Sequence, residues 1–241
     1  MKKCFFALFS LALLLGFSSV VSADEAEPVL ELSEVELDEI RYSILKDGHV
    51  DIDTADYLVQ KLRDGRLLDS FILDEKDAVK VESIDTEKGK MVIHRFADGS
   101  YTTQTIEDKK TNDLLDSGLI TPMSVSGGSC SSGSGWSTCK GVTVKYVNTG
   151  VWKLSFQADY TLLAGANNDQ IDRVYNKSAS GLLVSVSSDS LRIIKSKENA
   201  NGPAEARYSV IMEIAGISTT TRSVSLIAGA NTVRTSYNTY W

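Results

Sequence analysis

From Trp152 to Leu162 the chain alternates apolar and polar side chains without a break. Trp152, Leu154, Phe156, Ala158, Tyr160 and Leu162 fall on one parity, and Lys153, Ser155, Gln157, Asp159 and Thr161 on the other. Ala204, Ala206, Tyr208, Val210, Met212 and Ile214 repeat the pattern against Glu205, Arg207, Ser209, Ile211 and Glu213. Successive side chains on an extended backbone point to opposite faces, so a period of two gathers these apolar groups on one face. At helical spacing the same residues would circle the axis. Both segments are therefore strands with one buried face, and each needs a second layer to cover it.

Shorter runs at 142–147, 182–187, 191–197, 218–227 and 232–237 read as further strands. Asn148-Thr149-Gly150 and the stretches 199–203 and 229–231 supply turn residues between them. Short strands with this regular punctuation predict an antiparallel β-sandwich over 139–241. The region before it reads differently. Residues 24–39 are rich in Glu and Asp with sparse Val and Leu, which predicts a flexible acidic leader that turns helical near Leu32. Residues 40–120 predict a small α+β unit. Its helix is capped by Asp53 and stopped after Asp64 by Gly65, which is free to take the left-handed conformation. Strands at 79–84, 90–96 and 101–106 follow, with Ala97-Asp98-Gly99-Ser100 as a tight hairpin turn. Residues 121–138, rich in Gly and Ser, predict a linker. The expected fold is thus mainly β, with a C-terminal antiparallel β-sandwich preceded by a small acidic α+β region and a Gly/Ser linker.

Residues 1–23 read as a secretory signal peptide. Lys2 and Lys3 precede an apolar run from Cys4 to Phe17, and Val21-Ser22-Ala23 places small side chains before a cleavage point after Ala23. That run is shorter than the roughly 20 residues a spanning helix needs, and no later segment approaches the length. The expected setting is extracellular, with the chain either released or held non-covalently at the cell surface. There, Cys130 and Cys139 predict a disulfide. Closing so short a loop stabilises by about 2.5–3 kcal/mol in the chain-entropy model. The alternative is a pair of free thiols. A metal site is not expected, because the neighbours are Ser, Gly, Thr and Trp rather than His or further Cys.

Charge divides the chain. Residues 24–120 carry 25 acidic and 12 basic side chains, whereas residues 121–241 carry 7 and 11. The acidic part repels nucleic acid and anionic envelopes, and the basic part is mildly attracted to them. An excess of four positive charges over 121 residues is too dilute to predict nucleic-acid binding. The basic side chains expected to face outward are Lys145, Lys153, Arg173, Lys195, Lys197 and Arg207. They are candidates for contact with an anionic surface, against the plainer role of keeping a Ser/Thr-rich sandwich soluble and blunting its edges. Trp136 and the terminal pair Tyr240-Trp241 lie outside the alternation, which makes them candidates for exposed aromatic platforms; the alternative for Trp241 is burial at the end of the last strand.

Catalytic patterns are weak. His49 and His94 are the only histidines, which excludes a His-rich metal centre. Setting Asp47-Gly48 at positions five and six of a calcium loop places Ser43, Leu45 and Thr54 where ligands belong, so a turn before a helix explains them better. No Gly-x-Ser-x-Gly elbow singles out a serine nucleophile. In the β region Asp159, Asp169, Asp172 and Glu205 are the carboxylates that could pair for glycoside hydrolysis. No catalytic residue and no cofactor is expected.

The stretch from Leu58 to Ser70 contains Lys61-Leu62-Arg63-Asp64-Gly65 and then Asp69-Ser70. With the hairpin Phe96-Ala97-Asp98-Gly99-Ser100, it resembles a segment of secreted proteins from Gram-positive bacteria. Ser155-Phe156-Gln157-Ala158-Asp159-Tyr160 and Ile171-Asp172-Arg173-Val174-Tyr175 are similar to the C-terminal parts of those proteins. The resemblance spans about 40–107 and 140–215. It implies an exported, two-part architecture and carries no catalytic residue across. The expectation is a non-catalytic exported binding or surface-associated protein whose partner is a cell-wall polymer or another extracellular protein. A second reading is a secreted antimicrobial or toxin-like effector with an acidic pro-region, and a third is a secreted hydrolase.

Overall fold

The computed structural model describes residues 30–86, 89–107, 128–165, 167–216 and 218–240. The leading segment 1–23, residues 121–127 of the expected linker and Trp241 lie outside the described residues. Two helices open the described chain, α1 (Glu34–Asp47) and α2 (Ile52–Arg63), followed by a single turn, α3 (Asp69–Ile72), and a short 3₁₀ turn (Glu75–Asp77). Eleven strands follow among the described residues: β1 (Lys80–Thr86), β2 (Gly89–Arg95), β3 (Tyr101–Glu107), β4 (Ser129–Gly133), β5 (Trp136–Asn148), β6 (Trp152–Leu163), β7 (Gln170–Gly181), β8 (Val184–Lys195), β9 (Ala204–Ile214), β10 (Ser218–Gly229) and β11 (Thr232–Tyr240).

Local chemistry sets the helix ends. Ser33 and Glu36 form a reciprocal capping box at the start of α1. The helix begins at Glu34, close to the expected turn to helix near Leu32, and Leu37 and Ile40 are fully buried and reward the ordering. Asp51, rather than Asp53, caps α2, accepting the Thr54 N–H at 2.8 Å. At its other end Gly65 takes φ 76°, and the N–H groups of Gly65 and Arg66 donate to Leu62 and Lys61 carbonyls. That is a Schellman stop, and it needs the left-handed residue that glycine supplies without a Cβ penalty.

The fold is mainly β, with two antiparallel sheets. The larger runs β1-β2-β3-β5-β6-β7, and β4 pairs the remaining length of the β5 edge that β3 occupies. The smaller runs β11-β10-β9-β8. β10 crosses over β5 and β6, and β11 over β3. All six inward residues of β6, from Trp152 to Leu162, are buried, as are the six of β9 from Ala204 to Ile214. Leu37, Ile40, Ile44, Leu58, Leu62 and Phe71 of the helical region belong to the same apolar cluster.

Four details depart from the expected layout. The Gly/Ser stretch is not a linker where it is described: Ser129–Gly133 pairs Trp136–Lys140 as a hairpin, joined by the Cys130–Cys139 disulfide. Short side chains permit close pairing as well as flexibility, and composition does not separate the two. β3 pairs β5 from Thr102–Asn148 to Ile106–Val144, so the α+β region and the sandwich share one sheet. β7 has no alternation to betray it, since as an edge strand it leaves most of both faces in solvent. β8 is one strand rather than two, because a bulge between Val186 and Ser188 flips the parity midway.

Replacing Phe156 by Ala on the buried face of β6 should cost about 3–5 kcal/mol, whereas Lys153→Ala on the opposite face should stay within about 0.5 kcal/mol. Urea unfolding of both variants checks this, and equal losses would contradict the assigned faces.

Candidate functional site

The segment between α3 and β1 carries an inward-turned Glu75. On the facing side of the larger sheet, His94 of β2 and Thr102 of β3 are register partners, and Gln104 lies two residues further on. Gln104 Nε2 sits 2.7 Å from each oxygen of Glu75, and Thr102 Oγ1 donates to Oε1 at 3.4 Å. Thr235 of β11 then donates to Gln104 Oε1 at 2.9 Å. Three residues thus link a surface segment, the larger sheet and the smaller sheet. Beside them Tyr237 of β11 stacks on Tyr146 of β5, with centroids 3.7 Å and planes 5° apart. Asp74, Glu75, Lys76, Tyr237 and Asn238 line a cleft of about 280 Å³.

Burial pushes Glu75 up to about 7, outweighing the hydrogen bonds from Gln104 and Thr102 that favour its anion, and Asp74 adds to the rise. His94 Nδ1 lies 3.6 Å from Glu75 Oε1. Burial lowers the pKa of that imidazole, favouring its neutral form. A carboxyl raised to about 7 at the wall of a cleft, with an imidazole behind it, is able to bind a charged group or to exchange a proton. Sequence reasoning missed Glu75, since nothing local separates it from Asp74 and Asp77.

A second polar cluster is more deeply tied into the frame. Lys61 Nζ donates to Asp69 Oδ1 at 2.7 Å and to Asp98 Oδ2 at 2.8 Å. Asp98 also accepts the N–H of Asp69 and both the N–H and hydroxyl of Ser100. Burial pushes Asp98 upward, but these bonds outweigh it and hold the carboxyl below its ordinary value. Lys61 is raised, because the two carboxylates overcome the effect of burial. Ser70 extends the network, its N–H donating to Ser100 Oγ and its hydroxyl to Asn148 Oδ1.

The basic candidates do not form one patch. Lys145 and Lys153 lie on the outer face of the larger sheet, and Arg173 shares it, 3.0 Å from Asp159. Arg207 lies on the outer face of the smaller sheet, paired with Glu205 at 2.6 Å. Lys195, at the end of β8, donates to Asn199 and the Gly202 carbonyl. Lys197, beyond β8, is exposed and forms a bridge with Gln170. Trp136 is 40% exposed at the start of β5. The carboxylates weighed for hydrolysis serve the framework. Asp159 accepts from Gly141 and Tyr175, Asp169 from Leu163 and Asn231, Asp172 from Thr161, and Glu205 from Ser225. His49 packs edge-on against Tyr101, and Ser43 donates to the Gly150 carbonyl. Among the described residues no group of three His, Cys, Asp or Glu is placed to hold a metal, and no helix is long and apolar enough to cross a membrane.

No protein-family model and no curated protein matches the chain. Among solved structures, it is similar to a hypothetical protein from Listeria monocytogenes EGD-e, at 18% identity and a TM-score of 0.33, over 64% of this chain and 96% of that one.

Two outcomes follow from these clusters. Lys61→Met leaves two partly buried carboxylates facing each other and should cost about 3 kcal/mol at neutral pH, read from urea unfolding. Glu75 and Asp98 should act on stability in opposite directions. Asp98, depressed in the fold, stabilises above its ordinary value of 3.8 and loses that contribution as pH falls through its folded pKa. Glu75, raised from 4.5 to about 7, penalises the fold increasingly as pH rises through that interval, by about 3 kcal/mol in total. Glu75→Gln should therefore flatten the stability profile between pH 4.5 and 7; an unchanged slope would refute the assignment.

Proposed function

We propose that this is a non-catalytic exported protein of a Gram-positive bacterium that binds an anionic cell-wall polymer. Export rests on the leading segment, and the disulfide is in keeping with an oxidising compartment. The observation that carries the binding role is the outer face of the larger sheet. Lys145, Ser155 and Ser178 form one cross-strand row, Lys153 and Ser180 lie in the next, and Gln157 pairs Tyr175 in a third. Lys145 and Lys153 form no ion pair among the described residues. Short hydroxyls between unpaired ammonium groups make a polar, cationic surface suited to an extended chain of negative charge. The effector reading is weaker, because β3 of the acidic region is hydrogen-bonded into the same sheet as β5. A segment so integrated is not readily shed as a pro-region.

The purified protein should sediment with Gram-positive cell walls at low salt and release as salt rises, since such attraction is screened beyond about 8 Å at physiological ionic strength. Each ammonium near an anionic surface contributes about 1 kcal/mol. The double variant Lys145→Glu, Lys153→Glu should thus bind at least about tenfold more weakly. Arg192→Glu, on the smaller sheet, should change little. Equal losses from both variants would assign the effect to net charge and sink the proposed face.

A further inference from the structure

We infer that the cleft between residues 74–76 and the end of β11 is a binding site for a ligand bearing a protonated amine, with Glu75 as its counter-charge. Charges within the cleft are only partly matched. Lys76 Nζ lies 3.3 Å from Asp74 Oδ2, so the two outer charges answer each other. Among the described residues Glu75 has no Lys or Arg partner; its neighbours are Gln104 and Thr102 of β3, His94 of β2, Tyr146 of β5 and Tyr237 of β11. A carboxylate held in a protein wall without a cation is costly, and a ligand ammonium placed beside it removes that cost.

Size and lining narrow the class. At about 280 Å³ the cleft falls just below the roughly 300–1,000 Å³ of pockets for drug-sized molecules. It takes one short aminoalkyl or amino-sugar group rather than a large ligand. The Tyr237 ring, fixed by its stack on Tyr146, offers an apolar and cation-accepting wall. Asn238 supplies a further polar group at the rim. The site lies apart from the sheet face carrying Lys145 and Lys153, so it is independent of the wall-binding reading.

Proton linkage gives the site a signature. The amine pairs with ionised Glu75, whose ordinary value of 4.5 is displaced to about 7 by burial. Apparent affinity scales with the ionised fraction, so binding should tighten about tenfold from pH 6 to pH 8 for an amine that stays protonated throughout. Burial lowers the pKa of His94, which faces Glu75 from β2, and Asp74 and Lys76 face the cleft as an ion pair.

Putrescine and its neutral counterpart 1,4-butanediol are suitable probes, followed by amide chemical shifts of the purified protein. Putrescine at millimolar concentrations should shift the resonances of residues 74–76, Tyr237 and Asn238, with the stated pH dependence; butanediol should not. Glu75→Gln should weaken putrescine binding about tenfold at pH 8 and abolish its pH dependence, while wall sedimentation stays unchanged. If that variant loses its native spectrum, the wild-type pH dependence and the diol comparison decide alone. Equal shifts from diamine and diol, shifts elsewhere on the surface, or none at all would overturn the assignment.

Discussion

Much of this structure depends on one ammonium group held between two carboxylates. Lys61 on α2 reaches Asp69 at the start of α3 and Asp98 in the β2–β3 turn. Asp98 in turn fixes Ser100, Ser100 fixes Ser70, and Ser70 bonds to Asn148 at the end of β5. A helix, a turn and two hairpin ends meet in this network. The side chains of Lys61 and Asp98 are 11% and 4% exposed, so the charges are worth more here than on a surface, and breaking the set leaves an uncompensated carboxylate. Gly150, in the β5–β6 turn, shows how closely the helical layer seats: an added Cβ would stand 2.8 Å from the Ser43 carbonyl oxygen.

The Glu75 cluster is built on the opposite balance. Asp98 is surrounded by donors that favour its anion, while Glu75 is buried against neutral amide, hydroxyl and aromatic groups. One carboxyl fastens the fold and the other stays poised near neutrality. The difference comes from the number and charge of donors, since both side chains are substantially removed from water. The proposed amine site and the proposed cationic sheet face thus use different parts of the molecule, with opposite signs of charge.

Legibility followed burial asymmetry. β6 and β9 have one fully buried face each, and their alternation was plain in the sequence. β7 and β8 border the sandwich with both faces largely wet, so no pattern selected β7, and β8 read as two short strands instead of one. Asp51 and Asp53 are equivalent caps by composition; the choice between them rests on which carboxylate reaches the Thr54 N–H. Of the site, His94 stood out only as one of two histidines, and Glu75 not at all. Its character comes from Gln104 and Thr235, which lie 29 and 131 residues from their hydrogen-bond partners.

The sequence by itself determined that the chain is mainly β, where two principal strands run, where α2 stops, and that Cys130 and Cys139 are near enough to pair. Those properties are local: side-chain parity, a left-handed glycine and a short separation. Tertiary structure decided that the acidic region shares a sheet with the sandwich, that Ser129–Gly133 pairs as a strand, and that the basic residues divide between two opposite faces. It also brought Lys61, Asp69 and Asp98 together and buried Glu75. These are outcomes of long-range pairing and of desolvation, which depend on what packs against a residue and not on which residues precede or follow it.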